Sequence, residues 1–180
     1  MTLVSGSAVS EHIAVVMGVC GCGKTTLGEA LAERLRVPFL EGDDYHPRAN
    51  IDKMSAGVPL ADEDRWPWLD ALGRALAASA REHGGVVGAC SALRRAYREH
   101  LEIAAGLPVR FVCLTGARDD IALRMGTRRD HFMPASLLDS QLEILEVPAP
   151  DERAIVLSAT APLADTVQRT VQFLSAESQP

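Results

Sequence analysis

The 180-residue chain, 47% hydrophobic and 23% charged, is long enough for one compact domain with a real core and too short for two of ordinary size. Its formal net charge of −6 excludes the broad basic surface that nucleic acid or an anionic membrane demands of a main partner, which leaves a small ligand. No apolar run approaches the roughly 18 residues of a membrane span, and Met1 to Glu11 has neither the basic start nor the apolar stretch of a signal peptide, so a cytoplasmic protein is expected.

Residues 1–11 carry no periodic pattern and are expected to be disordered or frayed. The first element is His12-Ile-Ala-Val-Val-Met17, short, β-branched and followed at once by glycines, which predicts a buried central strand. From Lys24 to Arg36 the apolar residues Leu27, Ala30, Leu31 and Leu35 fall at helical spacing until Pro38 blocks continuation. Further strands are predicted at Pro38–Glu41, Val86–Cys90, Val109–Leu114 and Ala154–Leu157. The intervening helices are placed near Trp66–Glu82, Arg95–Ala105, Asp119–Thr127, Ala135–Glu146 and Leu163–Ala176. Five strands alternating with helices predict an α/β fold, a parallel five-stranded sheet covered on both faces, in one domain over residues 12–177 with a short tail at 178–180.

The most specific motif, Gly18-Val-Cys-Gly21-Cys22-Gly23-Lys24-Thr25, satisfies G-x-x-x-x-G-K-[ST] between a predicted strand and a predicted helix. Glycines let successive N–H groups turn inward onto phosphate oxygens, and the helix start adds its positive dipole end. Lys24 is placed to reach the β- and γ-phosphates of ATP, and Thr25 to offer its hydroxyl to Mg²⁺ bridging them, with Thr26 beside it. Only Lys24 and Lys53 among the 18 basic residues are lysines, so each calls for a specific use of a compact ammonium.

After the second predicted strand comes Glu41-Gly42-Asp43-Asp44-Tyr45-His46-Pro47, carboxylates at the end of a parallel strand where open α/β sheets bind ligands. One acid can hold a metal-bound water while another accepts the proton of an attacking hydroxyl. Asp44 stands equally as a cap for the helix that follows Pro47.

These strings resemble the bacterial-type gluconokinase family, relatives of shikimate kinase and adenylate kinase among P-loop small-molecule kinases. The resemblance runs through Gly42-Asp43 with His46-Pro47-Arg48-Ala-Asn50, Lys53-Met54, Gly57-Val-Pro-Leu60, Asp62-Glu-Asp64-Arg65 and Pro67-Trp68-Leu69. It continues through Cys90-Ser-Ala-Leu93, Tyr97-Arg98, Arg124 to Arg128, His131-Phe132, Ser140-Gln141 and Leu145-Glu146. It implies a P-loop three-layer sandwich like the nucleoside monophosphate kinases, with an acceptor arm at about 44–68 and a lid at about 124–134, and phosphorylation of gluconate by ATP with Mg²⁺ in a homodimer.

The resemblance also implies site roles. Gly18, Gly21, Cys22, Gly23, Lys24, Thr25 and Thr26 would cradle the nucleotide, with Arg124 and Arg128 reaching it from the lid. Asp43 would be the acceptor-side base and Glu41 an outer partner of Mg²⁺ through water. His46, Arg48, Asn50, Lys53, Arg65, Ser91 and Arg94 would bind the acceptor, Arg65 as a clamp on its carboxylate. Arg65 has a plainer alternative as a surface partner of Asp62 or Asp64, and the basic stretch near Arg128 as a solvated helix face. Related chains usually carry Lys at the position of Arg94, which favours acceptor positioning over catalysis there. No role follows from spacing for Gln141 or Glu146.

Cys20, Cys22, Cys90 and Cys113 are too few for a disulfide framework and are expected to be reduced thiols. Cys20 and Cys22 sit inside the phosphate loop, where inward N–H groups and Lys24 would favour a thiolate and a redox response; a metal site would need more ligands, and small neutral fillers are the plainer reading. Two functional alternatives stay open: a kinase for shikimate or a nucleoside monophosphate, and a nucleotide-binding module without turnover.

Overall fold

The computed structural model describes residues 12–126 and 135–176; the expected frayed N-terminus, the tail, and residues 127–134 of the expected lid, Arg128 included, lie outside them. Five strands, β1 (His12–Met17), β2 (Phe39–Glu41), β3 (Gly85–Ala89), β4 (Val109–Thr115) and β5 (Ala154–Ser158), form one sheet in the order β2-β3-β1-β4-β5. Every pairing is parallel, with Val16 opposite Ala89 on one side and Val112 on the other. Parallel strands need crossovers, and the chain supplies them with α1 (Lys24–Leu35), α2 (Arg48–Ser55), α3 (Asp62–His83), α4 (Arg95–Ala105), α5 (Arg118–Gly126) and α6 (Ala135–Ile144); α7 (Leu163–Ala176) follows the last strand.

Alternation along β1 divides the core in two. Ile13, Val15 and Met17 face α3 and α4 together with Trp68, Leu72, Leu76 and Leu101, while Ala14 and Val16 face Leu27 and Leu31 of α1. Each of these larger aliphatic side chains contributes roughly 1.5–3 kcal/mol by leaving water. The result is three layers with β1 in the middle, as its unbroken apolar run predicts.

Two departures from the sequence expectation bear on the site. Helix α2, expected only as the helix that follows Pro47, is missing from the elements read by apolar spacing, because its sequence RANIDKMS carries no apolar stripe and buries only Asn50. Helix α3 begins at Asp62 rather than Trp66: Asp64 Oδ2 accepts the Ala61 N–H at 2.8 Å, and the acidic first turn Asp62-Glu63-Asp64 suits the positive end of the helix dipole. Pro67 lies inside this helix, where one backbone bond is lost and the helix nevertheless continues to His83.

The chain leaves β1 toward β2 on one side of the sheet and leaves β3 toward β4 on the other, so connections diverge between β1 and β3. A crevice at the carboxyl ends of the strands follows at such a switch point. Both the phosphate-loop motif and Glu41-Gly42-Asp43 open onto it.

Candidate active site

Met17 ends β1 and the chain turns through Gly18, Gly21 and Gly23, at φ 139°, 77° and 103°, into α1. A side chain at any of these would be strained, and at Gly21 a Cβ would also lie 2.3 Å from Met125 Cγ of α5. Protein acceptors fix the outer curve of the loop: Gly18 N–H donates to Ser91 O at 3.2 Å and Cys22 N–H to Val19 O at 3.4 Å. Cys20 N–H donates to Gln141 Oε1 of α6 at 2.6 Å. The Lys24 ammonium curls over the loop and donates to Val19 O at 3.0 Å.

Thr25 Oγ1 donates to Glu41 Oε2 at 2.6 Å, so the first turn of α1 and the end of β2 present a hydroxyl and a carboxylate side by side. This pair of hard oxygen groups fits a divalent cation held by one protein hydroxyl and one water-mediated acid, the arrangement Mg²⁺ favours. Among the described residues no three His, Cys, Asp or Glu side chains gather into a metal cluster.

Beyond Glu41 the chain makes a tight 3₁₀ turn over Gly42–Tyr45. Gly42 is wedged against β3: a Cβ there would stand 2.2 Å from Ala89 O, and its own carbonyl accepts the Trp68 indole N–H at 2.7 Å. The turn delivers Asp43 to a cavity of about 520 Å³ whose wall also includes Lys24, Thr25 and Glu41. His46, Arg65, Ser91 and Arg94 line the same cavity. Residues separated by up to 70 positions therefore converge on one space, the phosphate loop at one end and the expected acceptor side chains at the other.

The acceptor end has a charged cluster of its own. Asp62 receives the Tyr97 hydroxyl at 2.5 Å and Arg94 Nη1 at 3.3 Å, and lies 3.9 Å from Arg65 Nη1. Both guanidiniums lie against the Tyr97 ring, Arg65 at 5.1 Å and Arg94 at 5.9 Å from its centroid. Burial, then the bond to Asp62, pushes the Tyr97 hydroxyl up to about 12, so it stays a neutral donor. Two fixed positive charges face one carboxylate, so the Arg65–Arg94–Asp62 cluster is locally cationic and can meet an anionic ligand group, while Glu63 and Glu143 also line the cavity.

Three expected acceptor residues lie elsewhere. Arg48 is exposed on α2 and paired with Asp52 at 2.9 Å; Lys53 bonds Asp64 at 2.7 Å; Asn50 is buried and spends its amide on Asp64 O and His46. None of the three lines the cavity. Each is engaged within the arm itself, where a polar, stripe-free helix is held by its own ion pairs.

A second cavity, of about 310 Å³, lies on the other side of the phosphate loop and brings Cys22, Thr26 and Arg124 to Ser158, Ala159 and Thr166. The residues after β5 were not anticipated, although the rule that places ligands at strand ends points to them. The sequence gives Tyr97 no role and Asp62 only a surface pairing with Arg65, and Gln141 proves to hold the phosphate loop. Glu146 holds the acceptor loop: its carboxylate accepts Arg95 N–H at 2.8 Å and its N–H donates to Leu93 O at 2.8 Å.

The expected Cys20 thiolate is corrected by burial. Desolvation raises the Cys20 thiol above its ordinary value and outweighs the pull of Lys24, and Cys22 is 1% exposed. For Cys20 the plainer reading as a small neutral filler agrees with this.

A sequence profile described as shikimate kinase matches residues 20–170. The gluconokinase of Gluconobacter oxydans is 45% identical over 163 residues, covering 91% of each chain. The chain belongs to the gluconokinase family. Among solved structures, a gluconokinase from Sinorhizobium meliloti is 46% identical with a TM-score of 0.82, covering 92% of this chain and 93% of that one. A sugar kinase from Janibacter is 43% identical with a TM-score of 0.86, covering 91% and 94%. The gluconokinase family shares its fold with shikimate kinases, which at 13% and 19% identity carry the architecture alone. Membership makes the chain a phosphotransferase enzyme that takes a nucleotide at the phosphate loop.

Proposed function

We propose that the chain transfers the γ-phosphate of ATP to D-gluconate, giving 6-phospho-D-gluconate and ADP. The observation that carries this reading is that one cavity joins the phosphate loop and Asp43 to the cationic wall of Arg65, Arg94 and Tyr97. A sugar acid has a carboxylate for that wall and a hydroxyl for Asp43.

In this reading Arg65 and Arg94 hold the carboxylate and fix the register of the acceptor chain. Asp43 accepts the proton of the hydroxyl as its oxygen forms a bond to phosphorus, the bond from phosphorus to ADP breaks, and its electron pair leaves on ADP. Lys24 and the loop amides take up the charge that builds on the phosphate oxygens, preorganised before the reaction begins. Thr25 and Glu41 would hold Mg²⁺, which supplies charge neutralisation between the β- and γ-phosphates when bound. The segment Asp44–Trp68 acts as the acceptor arm and 124–134 as the lid, with Arg128 in it; closure would carry both over the reactants. The second cavity, walled by Arg124, Thr26 and the residues after β5, takes the nucleoside end of ATP. A cytoplasmic homodimer completes the reading, and light scattering at working concentration tests the assembly.

ADP release measured over gluconate, other sugar acids, shikimate and nucleoside monophosphates tests the acceptor. Gluconate-dependent turnover is expected; turnover with shikimate alone would replace the acceptor, and no turnover with any would leave a binding module.

A further inference from the structure

Three side chains near Asp43 make a connected set that phosphate chemistry alone does not require. Trp68, 2% exposed, holds the Gly42 carbonyl through its indole N–H at 2.7 Å, and the His46 imidazole lies flat on that indole, centroids 4.0 Å apart and planes 18° from parallel. The Asn50 amide nitrogen lies 2.8 Å from Asp64 O and 3.3 Å from His46 Nδ1. A backbone carbonyl can only accept, so Asn50 must present its NH₂ group to Asp64, and the second hydrogen on that same nitrogen faces Nδ1. Nδ1 therefore keeps its lone pair, and the proton of a neutral imidazole belongs on Nε2. Nε2 is the ring nitrogen on the Asp43 side, 3.8 Å from Oδ1.

We propose that His46 is a neutral hydrogen-bond donor, its tautomer fixed by Asn50 and its plane by Trp68, whose Nε2–H binds the acceptor hydroxyl that Asp43 deprotonates. The separation of 3.8 Å is too long for a direct bond between the two side chains. An oxygen set off the line between them can accept from Nε2 and donate to Asp43, which leaves one lone pair for phosphorus. His46 keeps its proton throughout, and the hydroxyl proton goes to Asp43. Asn50 and Trp68 are then positioning residues, which explains why a buried amide is spent within the arm.

The charged groups facing the ring agree with a neutral donor. Burial lowers the His46 pKa most, Asp43 on its own turn opposes, and Arg65 of α3 lowers it further, to about 4. On α2, Lys53 is already paired with Asp64.

The identity of the hydroxyl rests on the gluconate reading; the tautomer does not. Long-range ¹H–¹⁵N correlation spectra of the full-length labelled protein at neutral pH should show His46 protonated at Nε2 and bare at Nδ1, without titrating between about pH 5.5 and 8. In kinetics, His46→Gln, whose amide nitrogen reaches the Nε2 position, should leave the gluconate KM within about threefold of the parent. His46→Asn, whose nitrogen falls at the Nδ1 position, should raise it by about tenfold, the loss of one hydrogen bond, with the ATP KM unchanged in both. Asn50→Leu should erase the tautomer preference in the same spectra. An Nδ1–H tautomer, a cationic ring at neutral pH, or equal KM values for the Gln and Asn variants would overturn the assignment. If gluconate is not turned over while the Nε2–H signature is present, the substrate reading fails and the donor assignment survives.

Discussion

In the proposed function acceptor recognition turns on Arg65, which is 9% exposed yet reaches both the cavity and the Tyr97 face. Arg65→Ala should raise the gluconate KM by about 30-fold or more, the loss of a charge-assisted contact worth roughly 2 kcal/mol or above, with little change in the ATP KM. Arg65→Lys should recover only part of it, since an ammonium cannot stack on Tyr97 as a planar fork does. Steady-state kinetics with each substrate varied separates the two effects. Lys24→Ala belongs to the other end of the cavity and should instead lower kcat by about 100-fold or more, as removal of a preorganised donor to developing charge does. His46 supplies a prediction in pH. The unfolded chain protonates this ring near 6.5 and the folded chain only near 4, so between those values protons bind the unfolded state preferentially. Its contribution to stability is complete above about pH 6.5 and declines as pH falls toward 4; thermal melts of His46→Gln should be flatter across that window than those of the parent.

At the scale of elements, the two helices on either side of residues 127–134 both touch the phosphate loop. Met125 of α5 covers Gly21, and Gln141 of α6 takes the Cys20 N–H. Gln141→Leu should leave that donor unpaired at a cost of roughly 1–3 kcal/mol. The loss should be read as a raised ATP KM and a lowered kcat, while Gln141→Glu keeps an acceptor and should be milder. Unchanged ATP kinetics in the Leu variant would mean that the contact is only structural. The passage from β1 through the phosphate loop into α1 was legible in sequence because its signal is local: an apolar run, glycines and a helical stripe within 24 residues of one another. Helix α2 was legible through Pro47 and the family resemblance but not through periodicity, since its eight residues are fixed by Asn50 and Lys53 reaching α3. The start of α3 was hidden by an acidic first turn that carries no apolar residue before Trp66. The contacts of Gln141 with Cys20 and of Tyr97 with Asp62 join positions 121 and 35 residues apart, a relation that only the folded sheet creates. The resemblance pointed to Arg48, Lys53 and Asn50 as acceptor ligands, and their own neighbours in the arm are what draw them aside.

For the molecule as a whole, the acceptor loop after β3 depends on one buried cation. Arg98, 2% exposed, bonds Glu152 at 2.9 Å and donates to the carbonyls of Ala92 at 3.1 Å, Leu93 at 3.4 Å and Glu146 at 3.0 Å. Ala92 sits at φ 43°, a left-handed conformation that a non-glycine residue keeps only when its surroundings impose it. Arg98→Met should therefore destabilise the fold by about 3 kcal/mol, since it strands Glu152 and frees three carbonyl contacts, and urea denaturation would measure it. Gly42 sets a different kind of limit. Its α-carbon has a β3 carbonyl on one side and its own carbonyl carries the Trp68 anchor on the other, so Asp43 beside it has no freedom to migrate. Efforts to redirect this enzyme toward new alcohols should accordingly leave that hinge alone and diversify the wall around Pro59, Arg65 and Arg94, where side chains rather than main chain define the shape.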